Sequence, residues 1–275
     1  MRRLTGTRRI GHAGTLDPLA SGVLPILVGA ATRFSEELTG GGKRYEAVIR
    51  LGWRSTTDDG QGPLERGGLV PDAALVTATL AEFVGTFAQR PPAFSARKAG
   101  GQVAYQAARG GTPIELEPRV VTVERLDLLD AERGEAWLDL RVDLRCGPGT
   151  YVRSIARDLG ERLGCGGYLA ELRRTEAAGL RVADAVPPAR LEELATAGQL
   201  ERALIAVGDL LPLPHLGLAE ADGDRFRHGS VLRLEAPATG AGRHAVFVGR
   251  ELVGVGRVEE GMLHPEKVIS EAPVR

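Results

Sequence analysis

Cysteine is almost missing from this chain. Cys146 and Cys165 are the only two among 275 residues, and no CxxC spacing relates them. That argues against a disulfide-stapled secreted framework and sets aside a cysteine-based zinc site. The five histidines are scattered without an HExxH pair, so no metal site is expected. No apolar run approaches the roughly 18 residues of a membrane helix. The Arg-rich start lacks the apolar stretch of a signal peptide. A cytoplasmic protein with no membrane partner is the expectation. Net charge is also missing: Lys+Arg number 35 against 36 Asp+Glu, so the overall balance names no polyanionic partner. The distribution says more. Arg2, Arg3, Arg8 and Arg9 cluster at the start, whereas Glu192, Glu193, Asp209, Glu220, Asp222 and Asp224 weight the later part. A neutral chain can still carry a basic groove.

What is present is ordinary globular material, 43% hydrophobic and 26% charged, in a chain long enough to bury a large core. In "YEAVIRLG", Tyr45, Ala47, Ile49 and Leu51 share one face, as in a half-buried strand. The stripe Val76, Leu80, Phe83, Val84, Phe87 keeps helical spacing behind a capping Asp72. "RPPAFSARKAGGQVAYQAARGG" breaks the pattern as a basic, Gly- and Pro-rich excursion with a short helix at Ala-Tyr-Gln-Ala-Ala. "VVTVERLDLL" and "AWLDLRVDLRC" read as strands. "GPGTYVRSIARDLGERLG" turns into a helix with the stripe Val152, Ile155, Ala156, Leu159, Leu163, stopped by Gly164. "YLAELRRT" returns as a strand, "ARLEELATA" is a short helix, and the last 60 or so residues read as short strands between glycines.

One stretch stands out. "GHAGTLDPLASG", residues 11 to 22, crowds three glycines around a carboxylate, Asp17, fixed between Leu16 and Pro18. Taken singly the pieces are bland: Asp-Pro starts many turns, His12 suits a surface, and "GTYVR" suits a strand-to-helix turn. Together with "KRYEAVIRLGWRSTTDDGQG", "RPPAFSARKAGGQVAYQAARGG", "RCGPGTYVRSIARDLGERLGCGGYLAELRRT" and "LVGVGRV…LHPEKV", they match one family in order and spacing. The sequence resembles the TruB family of bacterial tRNA pseudouridine-55 synthases over nearly its whole length.

The resemblance implies an α+β fold: a mixed or antiparallel pseudouridine synthase sheet, a thumb-like insertion, and a small C-terminal PUA-like β-barrel. The implied domains are a catalytic domain over residues 1–184 with the thumb at about 88–118, a linking helical segment over 185–211, and the PUA-like domain over 212–275. It also implies isomerisation of uridine 55 in the tRNA T-loop to pseudouridine, with no metal or cofactor. Asp17 matches the nucleophile, whose attack falls on either the sugar or the base ring. A shielded carboxylate stays ionised only beside a cation. Arg153 matches that cation, worth about 4 kcal/mol at about 4 Å and an effective dielectric near 20. Tyr45 matches the stacking tyrosine, a position that also suits a base removing a sugar proton. His12, Tyr151 and Leu172 match further substrate-binding positions, and Arg97 and Lys98 a thumb grip on phosphates. Arg225, Arg227, His228 and Arg233 are candidate tRNA contacts of the C-terminal domain, and a solvated face explains them equally.

Two alternatives remain in view: a catalytically silent tRNA-binding or folding protein on the same fold, and a synthase acting on another RNA. The single chain without long basic tails favours a stand-alone monomer that binds the T-stem-loop without guide RNA. Family members ordinarily open with a strand and an Asp-Lys-Pro turn ahead of the glycine-rich loop. Met1-Arg2-Arg3 stands where the following helix would end, so this chain is expected to lack that opening, either as a true short form or through a start assigned too far downstream. The second is favoured, because a deleted strand would leave sheet N–H and C=O groups unpaired.

Overall fold

A computed structural model describes residues 1–95, 97–99, 101–112, 114, 116–234 and 240–269, and not the side chains of Lys98, Ala99 and Val103. The chain divides into two compact units. One comprises Thr15–Val23 and Gly41–Asp184; the other comprises Met1–Gly14, Leu24–Gly40 and Ala185–Arg275.

The first unit is built on a seven-stranded sheet. Its path runs Leu180–Arg181, Gly167–Ala177, Lys43–Leu51, Leu138–Cys146, Arg119–Arg133, Gly85–Gln89, and each of these pairs is antiparallel. Ser21–Gly22 joins it by a parallel pairing to Arg173 and Arg174, so the sheet is mixed. The alternation in "YEAVIRLG" sends Tyr45, Ala47, Ile49 and Leu51 into the core. Opposite them, Leu144 registers with Tyr45, Val142 with Ala47 and Leu140 with Ile49, which stacks apolar side chains on one face. The other face carries cross-strand ion pairs, Arg44 with Asp143 at 2.8 Å and Arg50 with Asp139 at 2.6 Å.

Two helices cover the apolar face. Val152–Arg162 buries Val152, Ile155, Ala156 and Leu159, and the chain leaves it through Gly164 at φ 69°. Its closeness to the sheet depends on two glycines: a Cβ on Gly160 would lie 2.0 Å from the Gly167 nitrogen. Ala73–Ala81 starts where the Asp72 carboxylate accepts the Leu75 N–H at 2.9 Å. The apolar stripe expected to carry this helix to Phe87 stops earlier. Gly85, at φ 117°, turns the chain into the strand Gly85–Gln89, where Phe87 pairs with Val121. Phe83 and Phe87 still meet edge to face at 6.0 Å, and that contact across a turn mimicked a helical spacing. The basic excursion forms a small hairpin, Lys98–Ala99 with Gln102–Val103, followed by the helix Ala104–Arg109.

The second unit holds a five-stranded sheet ordered His215–Leu218, Gly242–Val248, Glu251–Glu259, Met262–Val268, Leu232–Arg233. Its core is Leu216, Phe226, Leu232, Val246, Val253, Val258 and Leu263. Within the same unit, Ile10–His12 pairs with Ile26–Val28. The Glu37 side chain, only 3% exposed, meets Arg243 at 2.6 Å and Lys267 at 2.9 Å. Burial pushes the Glu37 carboxyl up, but those two cations outweigh it and hold it below 4.5. Among the described residues no helix is long and apolar enough to cross a membrane.

Candidate active site

The glycine-rich stretch is held mainly through its backbone. Ala20 N–H donates to the Asp17 carbonyl at 2.9 Å, closing a four-residue turn with Pro18 in its second place. Arg174, a fully buried side chain, donates to the carbonyls of Val23 at 2.9 Å and Thr15 at 3.2 Å, one at each end of the loop. Gly22 runs against the same strand: at φ 110°, a Cβ there would lie 2.1 Å from the Arg174 carbonyl oxygen. Any side chain would push the loop off the sheet.

The Asp17 carboxylate is gripped by both oxygens. Arg153 Nε meets Oδ2 at 2.9 Å and Nη2 meets Oδ1 at 2.8 Å, the fork geometry that makes such pairs strong and directional. Arg153 is 5% exposed and Asp17 28%, so the cation is sealed while the acid stays partly open to solvent. The remaining guanidinium nitrogen donates to the carbonyls of Phe94 at 3.1 Å and Thr57 at 3.3 Å. It also lies 3.7 Å from Asp59 Oδ2. Asp59 is itself fixed, its other oxygen accepting from Thr57 Oγ1 at 2.6 Å and Gln61 N–H at 3.0 Å. Next to it, Asp58 pairs with Arg157 at 2.8 Å, and burial raises its carboxyl above 3.8 despite that partner.

Tyr45 is 7% exposed and faces the core side of the central strand. Burial pushes its phenol up to about 12, with the Arg174 guanidinium hydrogen-bonding it and working the other way. Leu172 belongs to the same apolar cluster. Tyr151, half-buried, is the residue before the helix that carries Arg153. Arg97 reaches the turn ahead of that helix, its Nη2 lying 3.9 Å from where a Gly149 Cβ would stand. His12 is exposed on a strand of the other unit. The Lys98 side chain lies outside the described residues. In the C-terminal region Arg225 pairs with Asp222 at 3.1 Å and Arg227 with Asp224 at 3.0 Å. Those two candidates are held by local ion pairs.

Sequence reading passed over three residues of this site. Arg174 is one of two consecutive arginines in a strand, and alternation forces one of the two inward. Asp59 sits in "TTDDG", where doubled acids read as a turn. Gln89 ends a strand without any mark at all, and its amide holds the Tyr151 backbone.

The fold is shared with chains of two solved complexes. A chain in the crystal structure of a Cbf5-Nop10-Gar1 complex superposes with a TM-score of 0.72 at 23% identity, over 97% of this chain and 78% of that one. A chain of an H/ACA RNP bound to a substrate RNA containing 2'-deoxyuridine gives 0.72 at 22% identity, over 97% and 78%. Residues 2–152 match the model of the TruB family pseudouridylate synthase N-terminal domain, and residues 153–212 that of the tRNA pseudouridylate synthase B C-terminal domain. The tRNA pseudouridine synthase B of Dechloromonas aromatica (strain RCB) is 41% identical over 273 residues, 98% of this chain and 89% of its own length. That of Burkholderia mallei (strain NCTC 10247) is 42% identical over 278 residues, 98% and 90%. The chain belongs to the TruB family of pseudouridylate synthases.

Proposed function

We propose that this protein isomerises a uridine of tRNA, uridine 55 of the T-loop, to pseudouridine, with Asp17 as nucleophile and without metal or cofactor. The observation that carries the reading is the two-toothed grip of buried Arg153 on a partly exposed Asp17 carboxylate, in a chain 41% identical to a tRNA pseudouridine synthase B. Such a grip pairs the carboxylate with a cation and aims it, as a nucleophile requires.

The reaction is an isomerisation. The C1′–N1 bond breaks, uracil turns, and a C1′–C5 bond forms. The C5 hydrogen leaves as a proton and N1 gains one, so no atoms are gained or lost. The target base must leave the stack, at a cost of a few kcal/mol, and an aromatic face returns about 1–3 kcal/mol. Tyr45 serves as that face, with Tyr151 and Leu172 shaping the pocket and His12 supporting the displaced nucleotides. A phenol at about 12 keeps its proton at neutral pH, which favours stacking for Tyr45 over a role as base. The insertion over 88–118, with Arg97 and Lys98, acts as the thumb on RNA phosphates. The five-stranded region is the PUA-like module of a stand-alone, monomeric, cytoplasmic enzyme that needs no guide RNA.

The test is to map pseudouridine in tRNA incubated with the wild-type protein and with Asp17→Asn. Wild type should modify one T-loop uridine, and the Asn variant should bind tRNA within a few-fold yet form no product. Turnover by the Asn variant equal to wild type would remove Asp17 as nucleophile.

A further inference from the structure

The helix that carries Arg153 begins without a cap of its own. Its N-cap residue is Tyr151, no side chain of the segment caps it, and its first turn contains no acidic residue. Helix starts ordinarily recruit Ser, Thr, Asp or Asn at the cap and acids in the first turn, since those N–H groups lack internal partners. Here the partner comes from another strand. Gln89, 1% exposed at the end of Gly85–Gln89, accepts the Tyr151 N–H with Oε1 at 2.9 Å. It donates from Nε2 to the Tyr151 carbonyl at 3.1 Å. One amide side chain thus makes both hydrogen bonds that a neighbouring strand would make to residue 151. The chain beyond Gln89 is stitched to the same helix. The Arg90 carbonyl accepts from Ser154 Oγ at 2.8 Å and Arg157 Nη2 at 2.9 Å, and the Phe94 carbonyl from Arg153 Nη1 at 3.1 Å.

The choice of an amide has a chemical reason. An acid in the first turn would strengthen the helix start by about 0.3–1 kcal/mol. It would also stand within a turn of Arg153 and compete with Asp17 for the guanidinium. Glutamine supplies the hydrogen bonds and brings no charge. We propose that Gln89 is a positioning residue of the reaction. By fixing Tyr151 on both its backbone groups, it sets where the next turn delivers Arg153 to Asp17, and its neutrality adds no further carboxylate to the Asp17 and Asp59 that already face that guanidinium. This rests on the proposed role of the Asp17–Arg153 pair.

The discriminating variants are Gln89→Glu and Gln89→Leu. Ionised Glu can still accept the Tyr151 N–H but cannot donate to its carbonyl, and it adds the charge that the native helix start avoids. The Glu variant should bind tRNA within about twofold and turn over about tenfold more slowly at pH near 8, a loss larger than its drop in melting temperature accounts for. Its deficit should shrink as pH falls toward about 5.5, because a protonated Glu is neutral and regains a donor; burial moves that protonation upward in pH. Leu should lose turnover at every pH and speed amide exchange over residues 151–155. A merely structural role predicts activity that tracks melting temperature in both variants with a pH profile parallel to wild type, and that result overturns the proposal. If wild type forms no pseudouridine in tRNA, the functional reading falls, and the positioning claim is decided by exchange alone: unchanged protection of residues 151–155 in the Leu variant refutes it.

Discussion

At the scale of single residues the site is a problem of sharing one cation. Arg153 faces Asp17, Asp59 and two carbonyls, and its donors are divided among them. Arg153→Lys keeps the charge but cannot reach both Asp17 oxygens and the Phe94 carbonyl from one nitrogen. Turnover should fall about 100-fold, the cost of a misplacement near 1 Å, while tRNA affinity stays within a few-fold. Arg153→Met leaves an unpaired acid and should destabilise the fold by about 3–5 kcal/mol, read from denaturant unfolding. A Lys variant turning over as wild type would show that charge alone suffices. At Tyr45 the prediction concerns shape: Tyr45→Phe keeps the aromatic face and should hold RNA better than Tyr45→Leu by about 1–3 kcal/mol. Equal dissociation constants for Phe and Leu would remove stacking from its role.

Elements set the distances those residues need. The Arg153 helix rests on the sheet through Gly160 against Gly167, where even a methyl would stand 2.0 Å from a backbone nitrogen. Gly160→Ala should push the helix outward, cost about 1–3 kcal/mol by overpacking, and slow turnover although the substitution lies two turns from Arg153. Stability and rate both within error of wild type would mean that the helix has slack. Periodicity made this layer largely legible in the sequence. Tyr45 to Leu51 alternates, and Val152, Ile155, Ala156 and Leu159 recur at helical spacing, because each element buries one face and the burial is written at period 2 or 3.6. The "GTLDP" and "GTYVR" stretches were legible through a resemblance, which marked Asp17 and Arg153 without saying how they meet. Gln89 and Arg174 were not legible. Their partners are backbone groups 62 and 151 residues away, and a bond to a carbonyl leaves no complementary side chain to recognise. The strand Met262–Val268 was hidden for another reason: Pro265 interrupts its pattern and is accommodated at a shift in register.

For the whole molecule, the unit that contains the C-terminal sheet also contains Leu24–Gly40, and Glu37 joins them. The Glu37 carboxyl is held below 4.5 in the folded protein, so folding favours its charged form. The stabilisation is fully present above the ordinary value and is lost as pH falls through the lowered one. Glu37→Gln should therefore melt below wild type at neutral pH, with the gap closing as pH drops below about 4.5. A gap that stays constant down to pH near 3 would mean that Glu37 contributes no ionic term. Removing residues 212–275 deprives Glu37 of Arg243 and Lys267 together, and the remainder should express largely as aggregate; a soluble remainder melting as wild type does would contradict that.

The chain passes between its two units four times, at Gly14/Thr15, Val23/Leu24, Gly40/Gly41 and Asp184/Ala185. Neither unit is therefore a cassette. A recombination event at Asp184/Ala185 would transplant a body whose other pieces, Met1–Gly14 and Leu24–Gly40, stay behind. A protease that cuts there leaves three covalent threads between the halves. Such a protein can be inherited, copied and improved as one object, and its parts are poor currency for exchange with other genes.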